Sequence, residues 1–77
     1  MIIFEKRPAG ELNSQDLGLS AQFNGAGYPQ DGTVQSIEHG EFLGIGQTLI
    51  RLATMKGDLA QIFASEDLIK IERRKNA

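Results

Sequence analysis

The sequence lacks cysteine and contains a single histidine, His39. A chain without cysteine forms no disulfide, and one histidine alone falls short of the ligand sets that hold structural zinc. Domains of this size usually supplement a small hydrophobic core with disulfides, a metal or self-association. Self-association is therefore the route to added stability that this composition leaves open.

Long hydrophobic runs are also missing. No apolar segment approaches the roughly 20 residues that a membrane-spanning helix needs. The N-terminal residues, MIIFEK, do not form the basic start and long apolar run of a secretory signal. We therefore predict a cytoplasmic protein that makes no contact with membranes.

An excess of positive charge is absent as well. Eight basic against ten acidic residues give a formal net charge of -2, so a domain-wide positive field cannot be the basis of nucleic-acid binding. Half of the basic residues nevertheless lie close to the C-terminus: Lys70, Arg73, Arg74 and Lys75. This cluster is either an arm that contacts phosphate or a solvated chain end. These four residues are the candidates for nucleic-acid contact.

Glycine, by contrast, is frequent, with nine among the 77 residues. It divides the chain into short segments that favour strands and turns over long helices. A strand is predicted at residues 2 to 4 and a polar loop at residues 11 to 18. Residues 19 to 23 (LSAQF) alternate between apolar and polar side chains, as a half-buried strand does.

Residues 24 to 32 are rich in the residue types that form turns. We predict a tight turn at Asp31 and Gly32, followed by a strand at residues 33 to 38. Val34 and Ile37 do not alternate cleanly along this strand, which indicates a bulge between them.

The segment from residue 40 to residue 55 fits two periods. A turn at Gly40 and a strand over residues 47 to 53 are predicted from the alternation of side chains. Apolar residues also recur at steps of three and four from Phe42 to Leu52, as on one face of a helix. Glycines 44 and 46 weaken the helix, since each costs about 1 kcal/mol relative to alanine inside one. The sequence alone therefore allows residues 47 to 55 to be either a strand or a helix.

The sequence pattern in the last third of the chain predicts a turn, a strand, a helical turn and a final strand. Residues 56 to 58 (KGD) are typical of a hairpin turn, and residues 59 to 64 of a mostly buried strand. Residues 65 to 68 predict one helical turn with Ser65 as its cap. Ile69 and Ile71 belong to a last short strand.

Over residues 17 to 72 this order resembles the Src-homology-3-like small barrels. The residues that match are the segments DGTV at 31 to 34, GDL at 57 to 59 and SEDLIKI at 65 to 71. The resemblance implies a mainly β fold, a single small antiparallel barrel with one short helical turn near the C-terminus. We accordingly divide one domain, residues 1 to 77, into an N-terminal strand and loop, a barrel and a charged tail, with bounds 1–16, 17–72 and 73–77.

Within that architecture, residues 60 to 63 (AQIF) followed by 68 to 71 (LIKI) are similar to the C-terminal part of the plasmid-borne type II dihydrofolate reductases. In that family a Val-Gln-Ile-Tyr strand lines the central pore of a tetramer. The resemblance implies a pore position for Gln61 and Ile62, with Phe63 in place of the tyrosine. The basic residue that the family places on an earlier strand has no match in residues 19 to 23.

A further segment resembles the helix-turn-helix of repressors of the lambda-Cro type. Residues 58 to 61 (DLAQ), residues 70 to 73 (KIER) and the pair KN at 75 and 76 are similar to it. The resemblance implies a DNA-binding regulator that uses its basic C-terminal segment. Gly57 interrupts the helix that should come before Leu59.

Tyr28 and Pro29 lie in a glycine-rich segment, where an exposed aromatic side chain either contacts a protein partner or plugs the end of the barrel. Together with Gln61 and Phe63 they are the candidates for partner binding. His39 is either a surface loop residue or a functional group that titrates near neutral pH or that joins a metal shared between subunits.

No catalytic residue set, metal site or cofactor motif is recognised in the sequence. The sequence thus favours a small non-catalytic binding module that acts through a protein partner or by self-association, of the kind that phages and plasmids often encode. A type II reductase-like oligomeric enzyme and a DNA-binding regulator are the alternatives.

Overall fold

The computed structural model describes residues 3–25 and 28–74, with only the backbone described at residues 24, 25, 28 and 29. Six strands account for most of this chain: β1 (Phe4–Pro8), β2 (Ser20–Gly25), β3 (Tyr28–Phe42), β4 (Ile45–Thr54), β5 (Gly57–Ala64) and β6 (Leu68–Glu72). Two short 3-10 turns, Ala9–Glu11 and Ser14–Asp16, lie between β1 and β2. The mainly β prediction is confirmed.

The six strands form one antiparallel sheet in the order β1-β6-β2-β3-β4-β5. β6 lies between β1 and β2, so strands from the two ends of the chain pair with each other. Phe4 is opposite Glu72, and Pro8 is opposite Leu68. Strands β2 to β5 follow each other in sequence, as hairpins do.

The predicted turn at Asp31 and Gly32 is wrong, because both residues lie inside β3, opposite Gln22 and Ala21 of β2. Gly32 is needed for close approach instead: a Cβ placed there would lie 2.7 Å from the carbonyl oxygen of Ala53. The predicted bulge is confirmed by a shift in the pairing of β3 with β4 between Val34 and Ser36.

The second predicted turn, at Gly40, is also wrong. Gly40 pairs with Gln47 within the long β3–β4 hairpin, whose turn is formed by Leu43 and Gly44. Both of these residues have positive φ angles, 53° and 78°, as a type I′ hairpin turn requires.

Residues 47 to 54 are strand and not helix. Thr48, Ile50 and Leu52 alternate toward the core and are fully buried, whereas the side chains between them point to the opposite face. The helical spacing from Phe42 to Leu52 therefore combined residues from both faces of the sheet.

The helical turn predicted at residues 65 to 68 is a two-residue turn, Ser65 and Glu66. It is closed by the Asp67 N–H, which donates to the Ala64 carbonyl at 3.0 Å, and by the Ala64 N–H, which donates to the Asp67 carboxylate at 3.1 Å. Ser65 donates its own N–H to the Gly46 carbonyl, so it continues the sheet and does not cap a helix.

The hydrophobic core lies on the inner face of the curled sheet. Its buried side chains come from every strand except β1 and β5, with Ala9 and Leu12 added from the segment after β1: Ala21, Phe23, Val34, Ile50, Leu52, Ile69 and Ile71. The ring of Phe63 on β5 meets the ring of Phe23 on β2 edge to face, with centroids 4.9 Å apart. This contact crosses the sheet and shows how strongly it curls.

The sheet curls without closing. Among the described residues, β5 has no strand neighbour besides β4, and β1 has none besides β6. The antiparallel β part of the barrel prediction is thus confirmed, whereas closure of the barrel is not found. In the part of the chain that the structure describes, no helix has the length and apolar character needed to cross a membrane.

Candidate functional site

The open side of β5 is a free strand edge. Successive N–H groups of an antiparallel strand point to alternate sides. Ser65 donates its N–H to Gly46 on β4, whereas the Ala64 N–H points away from β4, to Asp67. By the same alternation, the N–H and C=O groups of Ile62 and Ala60 face away from β4. No second strand within residues 3–25 and 28–74 pairs with them.

From Leu59 to Phe63 this edge lacks the features that usually prevent strand pairing, whereas Asp58 carries a charge before this stretch and the Asp67 carboxylate covers the Ala64 N–H after it. Natural edge strands are protected by lysine, proline, bulges or inward-pointing charges. Residues 59 to 64 contain no charged residue and no proline, and the β4–β5 register has no shift. Ile62 presents its side chain to solvent, with 61% of its surface exposed. β5 therefore provides both free backbone groups and apolar contact surface.

A groove of about 400 Å³ runs between this edge and the strands β6 and β2. Residues from β2, β5 and β6 line it, among them Gln22, Phe23, Gln61, Phe63, Leu68 and Lys70. The groove brings together two side chains predicted to bind a partner, Gln61 and Phe63, with one predicted to contact nucleic acid, Lys70. We call this surface, with the free edge of β5, the β5 groove.

Gln61 and Phe63 occupy equivalent places on β5. They pair with Ile50 and Thr48, two buried residues of β4, so both side chains point toward the inner face and are half-buried. The side chain of Phe63 has no polar atom, and its ring packs on the ring of Phe23. Gln61 is thus the one amide-bearing side chain that β5 places in the groove.

Two lysines give one wall of the groove a positive charge. Lys6 and Lys70 face each other across β1 and β6, and both are exposed. The Nζ atom of Lys70 lies 5.7 Å from the centre of the Phe4 ring, a cation–π distance. Asp67 is the carboxylate that lines the same groove. Because Lys6 and Lys70 are like charges placed opposite each other in the sheet, their pairing is electrostatically unfavourable.

The arginines of the C-terminal segment are held within the chain. Arg74 donates from Nε and Nη2 to the two carboxylate oxygens of Asp16, at 2.8 and 2.9 Å. Arg7 donates to the same carboxylate at 2.8 Å. Arg73 lies 3.6 Å from Glu5, and its N–H donates to the Ile3 carbonyl. Lys75 lies outside the described residues, so nucleic-acid contact by this segment stays a prediction.

Asp16 is fully buried at the centre of this ion cluster. Burial alone would raise the pKa of its carboxyl group, but hydrogen bonds from Arg74, from the Asn13 N–H and from Arg7 lower the pKa to about 2. Its charge is thus compensated within the fold. The cluster joins β1, the Ser14–Asp16 turn and the segment after β6, which is a structural role.

His39 has a structural role that the sequence did not indicate. Its Nε2 donates to the Leu12 carbonyl, 2.6 Å away, so in the neutral ring Nδ1 accepts from the hydroxyl of buried Thr48 at 2.8 Å. The ring lies on β3, not in a loop. Over the described parts of the chain, no three His, Cys, Asp or Glu side chains group as metal ligands.

The structure tests the remaining predictions to different extents. The side chains of Tyr28 and Pro29 lie outside the described residues, and their backbones begin β3. The helix-turn-helix interpretation is wrong, because residues 58 to 61 lie in β5 and residues 70 to 72 lie in β6. Sequence reasoning missed Lys6 and Leu68 as groove residues. The uncharged run from 59 to 64 was the one available signal for a free edge.

No protein family, curated protein or solved structure matches this chain.

Proposed function

We propose that this chain is a non-catalytic binding module of the Src-homology-3-like small-barrel type, which holds an extended protein segment along the β5 groove. The segment comes from a protein partner or from another copy of the chain. The observation that supports this most directly is the unpaired edge of β5 at Ala60 and Ile62, an uncharged stretch of the strand, beside a groove that the exposed side chains of Ile62 and Leu68 help to line. Such modules are often encoded by phages and plasmids.

Strand addition explains how the β5 groove would provide affinity and specificity. Main-chain hydrogen bonds to Ala60 and Ile62 give affinity for any extended segment, and alternate side chains of that segment give specificity. On the groove side these side chains would meet the amide of Gln61 and the apolar surfaces of Phe63 and Leu68. We expect an apolar, alternating segment as the ligand.

The proposal is tested with substitutions at Ala60, whose N–H points away from β4. Ala60→Pro removes this N–H, and proline is tolerated at such an edge position. Ala60→Val keeps the N–H and adds side-chain bulk, so it is the matched control. Peptides are selected from a random library against the wild-type chain and then titrated by fluorescence anisotropy.

We expect Ala60→Pro to weaken peptide binding about tenfold, since one hydrogen bond is lost and the ring hinders approach. Ala60→Val should stay within about threefold of wild type. Peptides that bind the proline variant as tightly as wild type would place binding elsewhere. A wild-type chain that selects no peptide and does not self-associate would overturn the proposal.

A second candidate function, a type II reductase-like oligomeric enzyme, is favoured by one observation. Residues 19 to 23 contain no basic residue, but Lys6 on β1 and Lys70 on β6 line the same groove as Gln61. These two lysines could supply the positive charge in their place. An anionic nicotinamide cofactor would need such charge. Sedimentation equilibrium with and without reduced nicotinamide cofactor tests it: a tetramer that binds cofactor supports the enzyme, and a chain indifferent to cofactor rules it out.

A further inference from the structure

The free edge of β5 sets strict conditions on any strand that pairs with it. Only the even-numbered residues, such as Ala60 and Ile62, direct backbone groups off the sheet, as the opposed N–H groups of Ala64 and Ser65 require. A second β5 strand that runs antiparallel must therefore place its own even-numbered residues opposite these. Odd-numbered residues, which point to the inner face, are then also opposite each other. The inner faces of the two copies therefore lie on the same side of the joined sheet.

Among the registers with this parity, one matches the side chains best. It places Gln61 opposite Gln61 of the second copy, on a two-fold axis. Ala60 then faces Ile62 of the second copy, and Leu59 faces Phe63 of the second copy. The exposed Ile62 gains an apolar neighbour on the outer face, and the half-buried Leu59 and Phe63 cover each other on the inner face.

The charges near the ends of β5 favour the same register. Lys56 comes just before β5 and Glu66 shortly after it, and both are exposed. Both residues lie in the turns that flank β5, and this register brings the turn that holds Lys56 next to the turn of the second copy that holds Glu66. Moving the axis to Ile62 would instead place Asp58 beside Glu66 of the second copy, a like-charge pair. Moving it to Ala60 would place Asp58 against the large apolar side chain of Ile62, whereas the Gln61 register places Asp58 opposite the small side chain of Ala64.

The strand is thus complementary to itself, and the chain has no disulfide to supplement its small core. We propose that the segment held at the β5 groove is β5 of a second copy, paired antiparallel about Gln61, so that two sheets become one continuous sheet across a two-fold axis. This inference rests on the proposed function, because it names which extended segment occupies the groove. An isologous interface of this kind closes as a dimer.

Charge placed at the two facing positions tests the dimer. The variant Ala60→Lys/Ile62→Lys sets lysine against lysine of the second copy, and Ala60→Glu/Ile62→Glu sets glutamate against glutamate. Each should be monomeric by sedimentation equilibrium at low salt. An equimolar mixture of the two should form dimers, because every facing pair then has opposite charges. Effects of the substitutions on the single chain are the same before and after mixing, so they cannot explain such a rescue.

A third variant tests the register. Ala60→Glu/Ile62→Lys places glutamate opposite lysine of the second copy only when the axis passes through Gln61. It should dimerise by itself, with a dissociation constant at least about tenfold lower than that of Ala60→Lys/Ile62→Lys. A monomeric third variant beside a rescued mixture would overturn the Gln61 axis.

A wild-type chain that stays monomeric at about 1 mM would overturn the inference, since the edge would then contribute less than a weak complex requires. Dimers that persist unchanged in both like-charge variants would also overturn it, because they would use another surface. The proposed function fails separately. If peptides still bind in a manner sensitive to Ala60→Pro while the chain is monomeric, the groove binds a different protein.

Discussion

At the scale of single residues, Asp16 shows how a buried charge is kept in a small domain. Its carboxylate accepts hydrogen bonds from two arginines and one backbone N–H. Breaking a buried ion pair by removing one partner typically costs about 3–5 kcal/mol, because the other charge is left uncompensated. The arginines here are less buried than Asp16, so the cost should lie at the lower end.

Acid should therefore destabilise the fold through Asp16. Its pKa is about 2 in the folded chain against an ordinary value of 3.8. A depressed folded pKa means that the stabilisation is complete above about pH 4 and is lost as the pH falls toward 2. The shift corresponds to roughly 2 kcal/mol in the free energy of unfolding.

Urea unfolding of the wild type and of Asp16→Asn between pH 7 and pH 2 measures this effect. The variant should be less stable by about 3 kcal/mol at pH 7, and the difference between the two proteins should shrink below pH 4. Other carboxylates titrate in both proteins and cancel from the difference. A difference that stays constant down to pH 2 would contradict the depressed pKa.

At the scale of elements, β3 shows that glycines of one strand serve different purposes. Gly32 lies where β3 crosses close to the backbone of β4, and a Cβ there would be 2.7 Å from the Ala53 oxygen and 3.0 Å from the Leu52 Cβ. Gly40 lies further along the same strand with nothing within 4 Å of the corresponding position. Neither glycine has a positive φ angle.

Alanine at these two positions should give opposite results. Gly32→Ala should lower the free energy of unfolding by about 1–3 kcal/mol, because the sheet must shift to admit the methyl group. Gly40→Ala should be neutral or stabilise by up to about 1 kcal/mol, since it restricts the unfolded chain without a clash. Thermal unfolding of the pair is the measurement. Equal effects would mean that crowding at Ala53 does not constrain β3.

The same elements show how far local sequence patterns predict this fold. Alternation correctly indicated β2, and the broken alternation after Val34 correctly indicated a bulge. The apolar residues 59 to 64 correctly indicated a strand, but the prediction that it is mostly buried is wrong, because β5 is an edge strand whose residues are half-buried or exposed. Turns were less predictable. Glycine is typical of turns, but Gly32 and Gly40 both lie in a strand. Gly32 lies where β4 approaches β3 closely, and Gly40 lies in the strand because it pairs with Gln47. Neither the approach nor the pairing is recorded in a local pattern.

At the scale of the whole molecule, the two ends of the chain are held together. β1 pairs with β6, the Arg73 N–H donates to Ile3, and Arg74 reaches Asp16 across 58 positions in sequence. The hydrogen bond with Asp16 raises the pKa of Arg74 above its ordinary value. The segment after β6 therefore helps to hold the fold.

Arg74→Ala and Arg73→Ala should separate this structural role from a role in binding. Arg74→Ala should lower the midpoint of thermal unfolding, because it takes a partner from buried Asp16. Arg73→Ala should change it little, since its side chain is 61% exposed and lies 3.6 Å from Glu5. Equal loss of stability in both variants would contradict the assignment. Loss of nucleic-acid binding in Arg74→Ala must be judged against this change in folding.

The sequence by itself determined the class of the fold, since short alternating segments divided by glycine favour antiparallel strands, and it determined that no disulfide supports them. Tertiary structure decided the candidate site. Lys6 and Lys70 meet Gln61 and Phe63 only because β6 inserts between β1 and β2 while the curl brings β5 toward β2. The open edge of β5 follows from the same topology. These placements result from pairing between segments distant in sequence, which propensity and periodicity, being local, do not contain.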